Sequence, residues 1–211
     1  MSQPTDRRAV IAQPGKLNTK LGEFWSDNPW RIVAGGHNLS SYERNRFFIN
    51  SGGARFLEAS YLSGADSDGD GRAAVAADLF NRGRMDLLVR QAGGGAFLLL
   101  ENQMDHGRSL KITLEGSKSN RQGIGARVIA ETNERTLYRE NFPANSYNSQ
   151  SPAIIHLGLG KTDKIKVLKV VWPSGIVQIF NEIPAEGHLT IKESKTGPNA
   201  IMPFKAAEKS Q

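Results

Sequence analysis

At 211 residues the chain is long enough for two small domains, each with a core of its own. It contains no cysteine, which excludes disulfides, thiolate metal sites and cysteine nucleophiles; its 22 glycines beside an ordinary 23% charged fraction suit an all-β chain with many tight turns. The net charge of +6 is spread without a solid basic block, so it reads as a solvated surface and not as a nucleic-acid face.

In chain order, residues 1 to about 22 are polar, with Pro4, Pro14 and Gly15, and read as a loose arm. The apolar run Ala9-Val10-Ile11-Ala12 stops at Gln13-Pro14, too short for the core of a signal peptide, and no later stretch is long and apolar enough to span a membrane. Trp25 and Trp30 stand close together beside Pro29. They read as packing anchors, with an aromatic sugar-stacking platform as the functional alternative.

Strand signals begin at Arg46-Phe47-Phe48-Ile49-Asn50, turn at Ser51-Gly52-Gly53 and return at Arg55-Phe56-Leu57-Glu58-Ala59, which predicts a hairpin. Further short apolar runs follow at residues 73–78, 85–90 and 96–102, separated by Asn81-Arg82-Gly83 and Gly93-Gly94-Gly95. Apolar runs between glycine turns at about ten-residue spacing predict a sheet or a propeller blade. A ring of blades needs about four to close. These residues suffice for one blade and a hairpin, so an edge is expected to be covered by the second domain, the tryptophan-bearing segment or another chain.

Alternation in residues 109–115 puts Leu110, Ile112 and Leu114 on one face of a strand and Lys111, Thr113 and Glu115 on the other. Next comes the most specific stretch, the glycine-spaced polar loop Gly116-Ser117-Lys118-Ser119-Asn120-Arg121-Gln122-Gly123-Ile124-Gly125, with Ile124, Ala126 and Val128 expected to point one way in the strand after it. Strands are predicted at residues 135–140, 153–158, 164–172, 176–180 and 189–192, with a bulge near Leu168 and a turn at Pro173-Ser174-Gly175. No helical stripe of twelve residues is present, and the tail after Ser194 reads as an extended or mobile arm.

Chemical motifs are scarce. Gly158-Leu159-Gly160-Lys161-Thr162 lacks the leading glycine of a phosphate loop and the helix that must follow it. His37, His106, His156 and His188 have no metal-ligand spacing, and His156, inside an apolar strand, reads as a hydrogen-bonded structural residue. No nucleophile elbow and no carboxylate pair suited to acid/base work stands out. Lys118, Asn120, Arg121 and Arg127 cluster at the organising loop, where they either bind a carboxylate or sulfate or, for Asn120 and Arg121, hold the loop's own backbone.

The loop from Gly116 to Val128, then Ser149-Gln150-Ser151, His156-Leu157-Gly158-Leu159-Gly160 and Val171-Trp172-Pro173-Ser174-Gly175 with a closing strand, resemble in order the ASPIC/UnbV domain of cartilage-acidic-protein-like chains. Residues 46–103 resemble, less strongly, the FG-GAP or VCBS-type propeller repeats that precede that domain. The resemblance implies a non-catalytic binding or adhesion module, often exported. Such repeats carry a calcium loop, and at the matching place Asp78 and Asp86 survive while Phe80 and Arg82 occupy two carboxylate positions, so no calcium is expected there. Upstream, Asp66, Asp68 and Asp70 have the spacing of half a calcium loop without the closing carboxylate; they are a weak calcium candidate beside the plainer reading of a solvated turn.

The expectation is an all-β chain: an arm at 1–45 carrying the tryptophan anchors, an incomplete propeller-like antiparallel sheet at 46–105, a β-sandwich at 106–194 and a tail at 195–211. Its expected role is non-enzymatic protein association, as a subunit or accessory of a larger assembly or as a homo-oligomer, with carbohydrate or anionic-polymer binding as the alternative. No cofactor is expected beyond the weak calcium candidate. The compartment stays open, cytoplasmic from the missing signal and periplasmic or exported from the resemblance.

Overall fold

A computed structural model of the chain describes residues 18, 20, 44–67, 69, 71–91, 97–144, 147, 149–194 and 200–202. Trp25, Trp30, Asp68, Asp70 and the triple-glycine turn lie outside the described residues, as does the N-terminal arm apart from Asn18 and Lys20. The chain divides into two compact units, residues 1–72 with 90–97 and residues 73–89 with 98–211.

In the first unit the predicted hairpin forms from β1 (Phe48–Asn50) and β2 (Phe56–Glu58), paired antiparallel from Phe48 opposite Glu58 to Asn50 opposite Phe56. Its turn takes φ of 88° at Gly52 and 63° at Gly53, angles a side chain resists. A single helical turn, α1 (Ser60–Ser63), follows and stops at Gly64. The buried Ser60 hydroxyl accepts the Phe47 amide at 2.7 Å, fixing this turn against the strand. Asp66 accepts from the Arg44 guanidinium, with a closest approach of 2.5 Å.

In the chain's centre β3 (Gly71–Ala77), β4 (Asp86–Gln91) and β5 (Leu98–Leu100) form a three-stranded sheet in that order. The second unit continues with β6 (Arg108–Glu115), β7 (Arg127–Glu131), β8 (Thr136–Glu140), β9 (Ile154–Gly160), β10 (Lys164–Val171), β11 (Val177–Pro184), β12 (Gly187–Lys192) and β13 (Ala200–Met202). These make two four-stranded sheets, β11-β10-β7-β8 and β13-β12-β6-β9, whose inward alternating residues share one core. Leu110, Ile112, Leu157, Leu189 and Ile191 come from one sheet and Val128, Ala130, Leu168, Val170 and Phe180 from the other, so the period-two pattern of each strand supplies one side of the sandwich. Trp172, just past β10, completes the core with its Nε1–H on the Gln178 carboxamide at 2.5 Å. Among the described residues the chain is all-β apart from α1, no sheet closes into a barrel, and no helix is long and apolar enough to cross a membrane.

Several expectations change in detail. Within the sandwich, whose strand directions the sequence left open, β12 runs parallel to β6 with Leu189 opposite Ile112. Ile124 does not belong to the strand after the loop; β7 starts at Arg127, and Ile124 sits in a turn held by Asn120. The β10–β11 register keeps one offset along its length, with Lys166 and Glu182 left out of the pairing, and carries no bulge at Leu168. The phase instead changes in both strands together, two residues separating Ile165 from Leu168 and Phe180 from Ile183, beside Glu182 at φ 53°. In the tail, Ala200–Met202 is extended and pairs antiparallel with β12.

Candidate functional site

The polar loop folds into a cradle for a carboxylate. Asn120 holds it open: its Oδ1 accepts the Ile124 amide and its Nδ2 donates to the Ile124 carbonyl, each at 2.8 Å. Gly116 N–H closes the ring on the Arg121 carbonyl at 3.0 Å. Consecutive amides of Ser117, Lys118 and Ser119 then converge on Oε2 of Glu193, each at 2.7 Å. The Ser119 hydroxyl donates to Oε1 at 2.8 Å, and the Ser174 hydroxyl, from the turn after β10, donates to the same oxygen. Glu193 itself is fixed by the end of the parallel pair, its amide donating to the Glu115 carbonyl at 2.8 Å. Burial pushes its carboxyl up, but the Ser119 amide, the Ser174 hydroxyl, the Ser117 amide and the Ser119 hydroxyl outweigh this and bring it down to about 2.

Of the four loop residues singled out from the sequence, Asn120 therefore works within the loop, Lys118 contributes its backbone amide, and Arg121 contributes its carbonyl. Arg127 opens β7 and lies opposite Glu140 of β8. The side chains of Lys118, Arg121 and Arg127 belong to exposed residues. Glu193, the anion the cradle holds, escapes sequence reasoning: it lies 74 to 76 residues from its amide donors, and a lone glutamate after a last strand carries no local signal.

Residues 116–198 match the family model described as ASPIC and UnbV. This segment is similar to the ASPIC/UnbV domain. No curated protein matches the chain. The cradle opens the ASPIC/UnbV match and the glutamate it holds lies near the end of it, so the loop clamps the domain's two ends together.

A second polar cluster lies where the ASPIC/UnbV strand β9 and the preceding strand β6 meet the loop at residues 78–86. Lys111 is buried on the face of β6 that faces away from the sandwich core. Its ammonium pairs with Asp78 at 2.9 Å and donates to the Asn81 carboxamide oxygen. Asp78 also accepts the Arg82 amide at 2.7 Å and the Gly83 amide at 2.9 Å. Burial pushes the Asp78 carboxyl up, and Lys111 with these two amides holds it below its ordinary value. Asp86 is fully buried, with Oδ1 taking the Arg82 guanidinium and the Asn102 amide, both at 2.9 Å, while its Oδ2 has no partner among the described residues. Arg82 reaches Glu101 as well and lies 4.6 Å over the Phe80 ring. The two surviving carboxylates of this loop thus rest on side-chain cations and backbone amides of the chain itself. His156 donates Nε2–H to the Gly83 carbonyl at 2.9 Å, and burial lowers its pKa despite that bond.

Beside this cluster opens a cleft of about 270 Å³, lined by Asp78, Lys111 and His156 together with Arg139, Phe142 and Ile154. Among the described residues no group of three or more histidines and carboxylates is placed to hold a metal ion. Of the calcium candidates, only Asp66 is described, and it is engaged by Arg44.

The outer face of β11-β10-β7-β8 is apolar in patches. One register row across it reads Ile179, Lys169, Ile129, Tyr138, and Val177 stands opposite Val171 in the next. Ile179 is 59% exposed, Tyr138 67% and Val177 48%.

Proposed function

We propose that the chain is a non-enzymatic association module, a subunit or accessory of a larger assembly, that binds a protein partner through the outer face of β11-β10-β7-β8. The observation that carries this reading is the row of exposed Ile179 and Tyr138 with half-buried Ile129 between them, interrupted by Lys169, and with exposed Val177 and half-buried Val171 beside it, on a sheet whose outermost strands β11 and β8 end in unpaired edges among the described residues. Apolar side chains alternating outward on an open-edged sheet favour association, since water satisfies neither the side chains nor a flat apolar strip as well as another protein surface does. The three-stranded sheet β3-β4-β5 is read in the same proposal as one FG-GAP/VCBS-type repeat, too short to form a ring.

Carbohydrate or anionic-polymer binding is the second reading, favoured by the exposed Lys118, Arg121 and Arg127 around the cradle. Size-exclusion chromatography with light scattering separates the two. An association module is expected to elute as an oligomer or to aggregate when alone, and Ile179→Glu to shift it towards monomer. A wild-type monomer at every concentration, unchanged by Ile179→Glu and retained on a glycan array, overturns the first reading in favour of the second.

A further inference from the structure

The cleft beside His156 contains two polar groups with hydrogen-bonding capacity to spare, and their chemistry specifies a ligand. The Gly83 carbonyl can only accept, so the bond at 2.9 Å places a proton on Nε2 of His156. The neutral ring then presents Nδ1 as an acceptor, and that nitrogen, in a residue that lines the cleft, has no hydrogen-bond partner among the described residues. An N–H or O–H of a ligand is its complement.

Arg139 supplies the other half. It lies on the same alternating face of β8 as Leu137, which packs on the sandwich core, and its Nη1 donates to the Tyr138 carbonyl at 2.8 Å. It forms no ion pair among the described residues, although it lines the cleft. Glu140, which also borders the cleft, follows Arg139 directly in β8, so strand alternation sends its side chain to the opposite face of the sheet. Lys111 is already paired with Asp78, so Arg139 is the cation of the cleft left to meet a ligand. A planar guanidinium fork in that position matches a carboxylate. The remaining wall is apolar: Phe142 is 63% exposed and Ile154 40%, with Pro143 and Pro152 beside them.

We infer that this cleft binds the carboxylate of an amino-acid-sized group that also bears an adjacent hydrogen-bond donor and an apolar side chain, with Arg139 on the carboxylate, His156 Nδ1 on the donor and Phe142 against the side chain. The volume of about 270 Å³ lies just below the usual range of small-molecule sites, which suits a group the size of one amino-acid residue. Both a free N-acyl amino acid and the C-terminal residue of a polypeptide have this chemistry. The site is separate from the outer sheet face proposed above, and neither reading needs the other.

The test is titration of the full ¹⁵N-labelled chain with N-acetyl-L-leucine, N-acetyl-L-leucinamide, and a short leucine-ending peptide in acid and amide forms. The free acid is expected to shift the amide signals of Arg139, Phe142 and His156, with the amide at least tenfold weaker, because a charge-assisted pair on Arg139 is lost. Arg139→Gln is expected to weaken binding about tenfold or more without moving the melting temperature, since its side chain is exposed. If the peptide acid binds as well as the free acid, the source is a chain terminus; if only the free acid binds, it is a small molecule. Absence of shifts up to the solubility of both acids, equal binding of acid and amide, or unchanged binding by Arg139→Gln overturns the inference. Because the outer sheet face is untouched by these ligands, oligomeric state measured in the same samples reports on the association reading independently.

Discussion

Replacing Glu193 by glutamine tests the clamp that joins the start of the ASPIC/UnbV match to a point near its end. Glutamine keeps the volume but loses the charge, and it cannot present two acceptor oxygens to three amides and two hydroxyls. The carboxyl drops from an ordinary 4.5 to about 2, which at about 1.4 kcal/mol per pKa unit corresponds to about 3 kcal/mol of folded-state stabilisation. Solvent at the exposed Ser117 and Lys118 screens part of this, leaving about 2 kcal/mol. Because the folded-state pKa lies below the unfolded one, the unfolded chain binds the proton first as pH falls. The stabilisation is therefore complete above about pH 5, and it is lost progressively as pH falls from 4.5 towards 2. Urea unfolding followed by tryptophan fluorescence should show Glu193→Gln less stable by about 2 kcal/mol at pH 7, with more than half of that difference gone by pH 3. Equal midpoints at pH 7, or a difference that stays constant into acid, would refute the reasoning.

Lys111→Met leaves Asp78 buried with only its two amide donors, and urea denaturation should register a loss of about 3 kcal/mol. Adding Asp78→Asn should recover part of that loss, whereas equal stability of the single variant and the wild type would show that the pair contributes nothing. Gly123→Ala places a Cβ 2.8 Å from Leu114 Cβ and 3.1 Å from the Trp172 ring at a φ of 63°, so backbone strain and overpacking act together. A thermal melt should show a loss of about 3 kcal/mol, and a change within about 0.5 kcal/mol would mean the loop relaxes freely.

The alternation of Leu110, Ile112 and Leu114, the hairpin turn at Gly52-Gly53 and the Trp172-Pro173-Ser174-Gly175 corner were legible because each is local: side-chain parity and backbone permissiveness act within a few residues. Asn120 as a brace of its own loop was legible for the same reason, since an asparagine can reach a peptide group four residues on. The same alternation placed Lys111 on the polar side of β6, and the side was right, but what covers that side is a loop some 30 residues earlier in the chain. Parity assigns a residue to a face and says nothing about whether water or protein lies over it.

Sequence by itself determined that this chain builds sheets, where its turns fall, and which family model its second half matches, because hydrophobic period and glycine spacing are written in consecutive residues. Only the tertiary structure decided that the conspicuous basic loop spends its amides on Glu193, that β12 lies parallel to β6, and that His156 and Arg139 share one cleft. Those pairings depend on where distant segments arrive in space, and hydrogen bonds and charges over a few ångströms respond to that arrival alone.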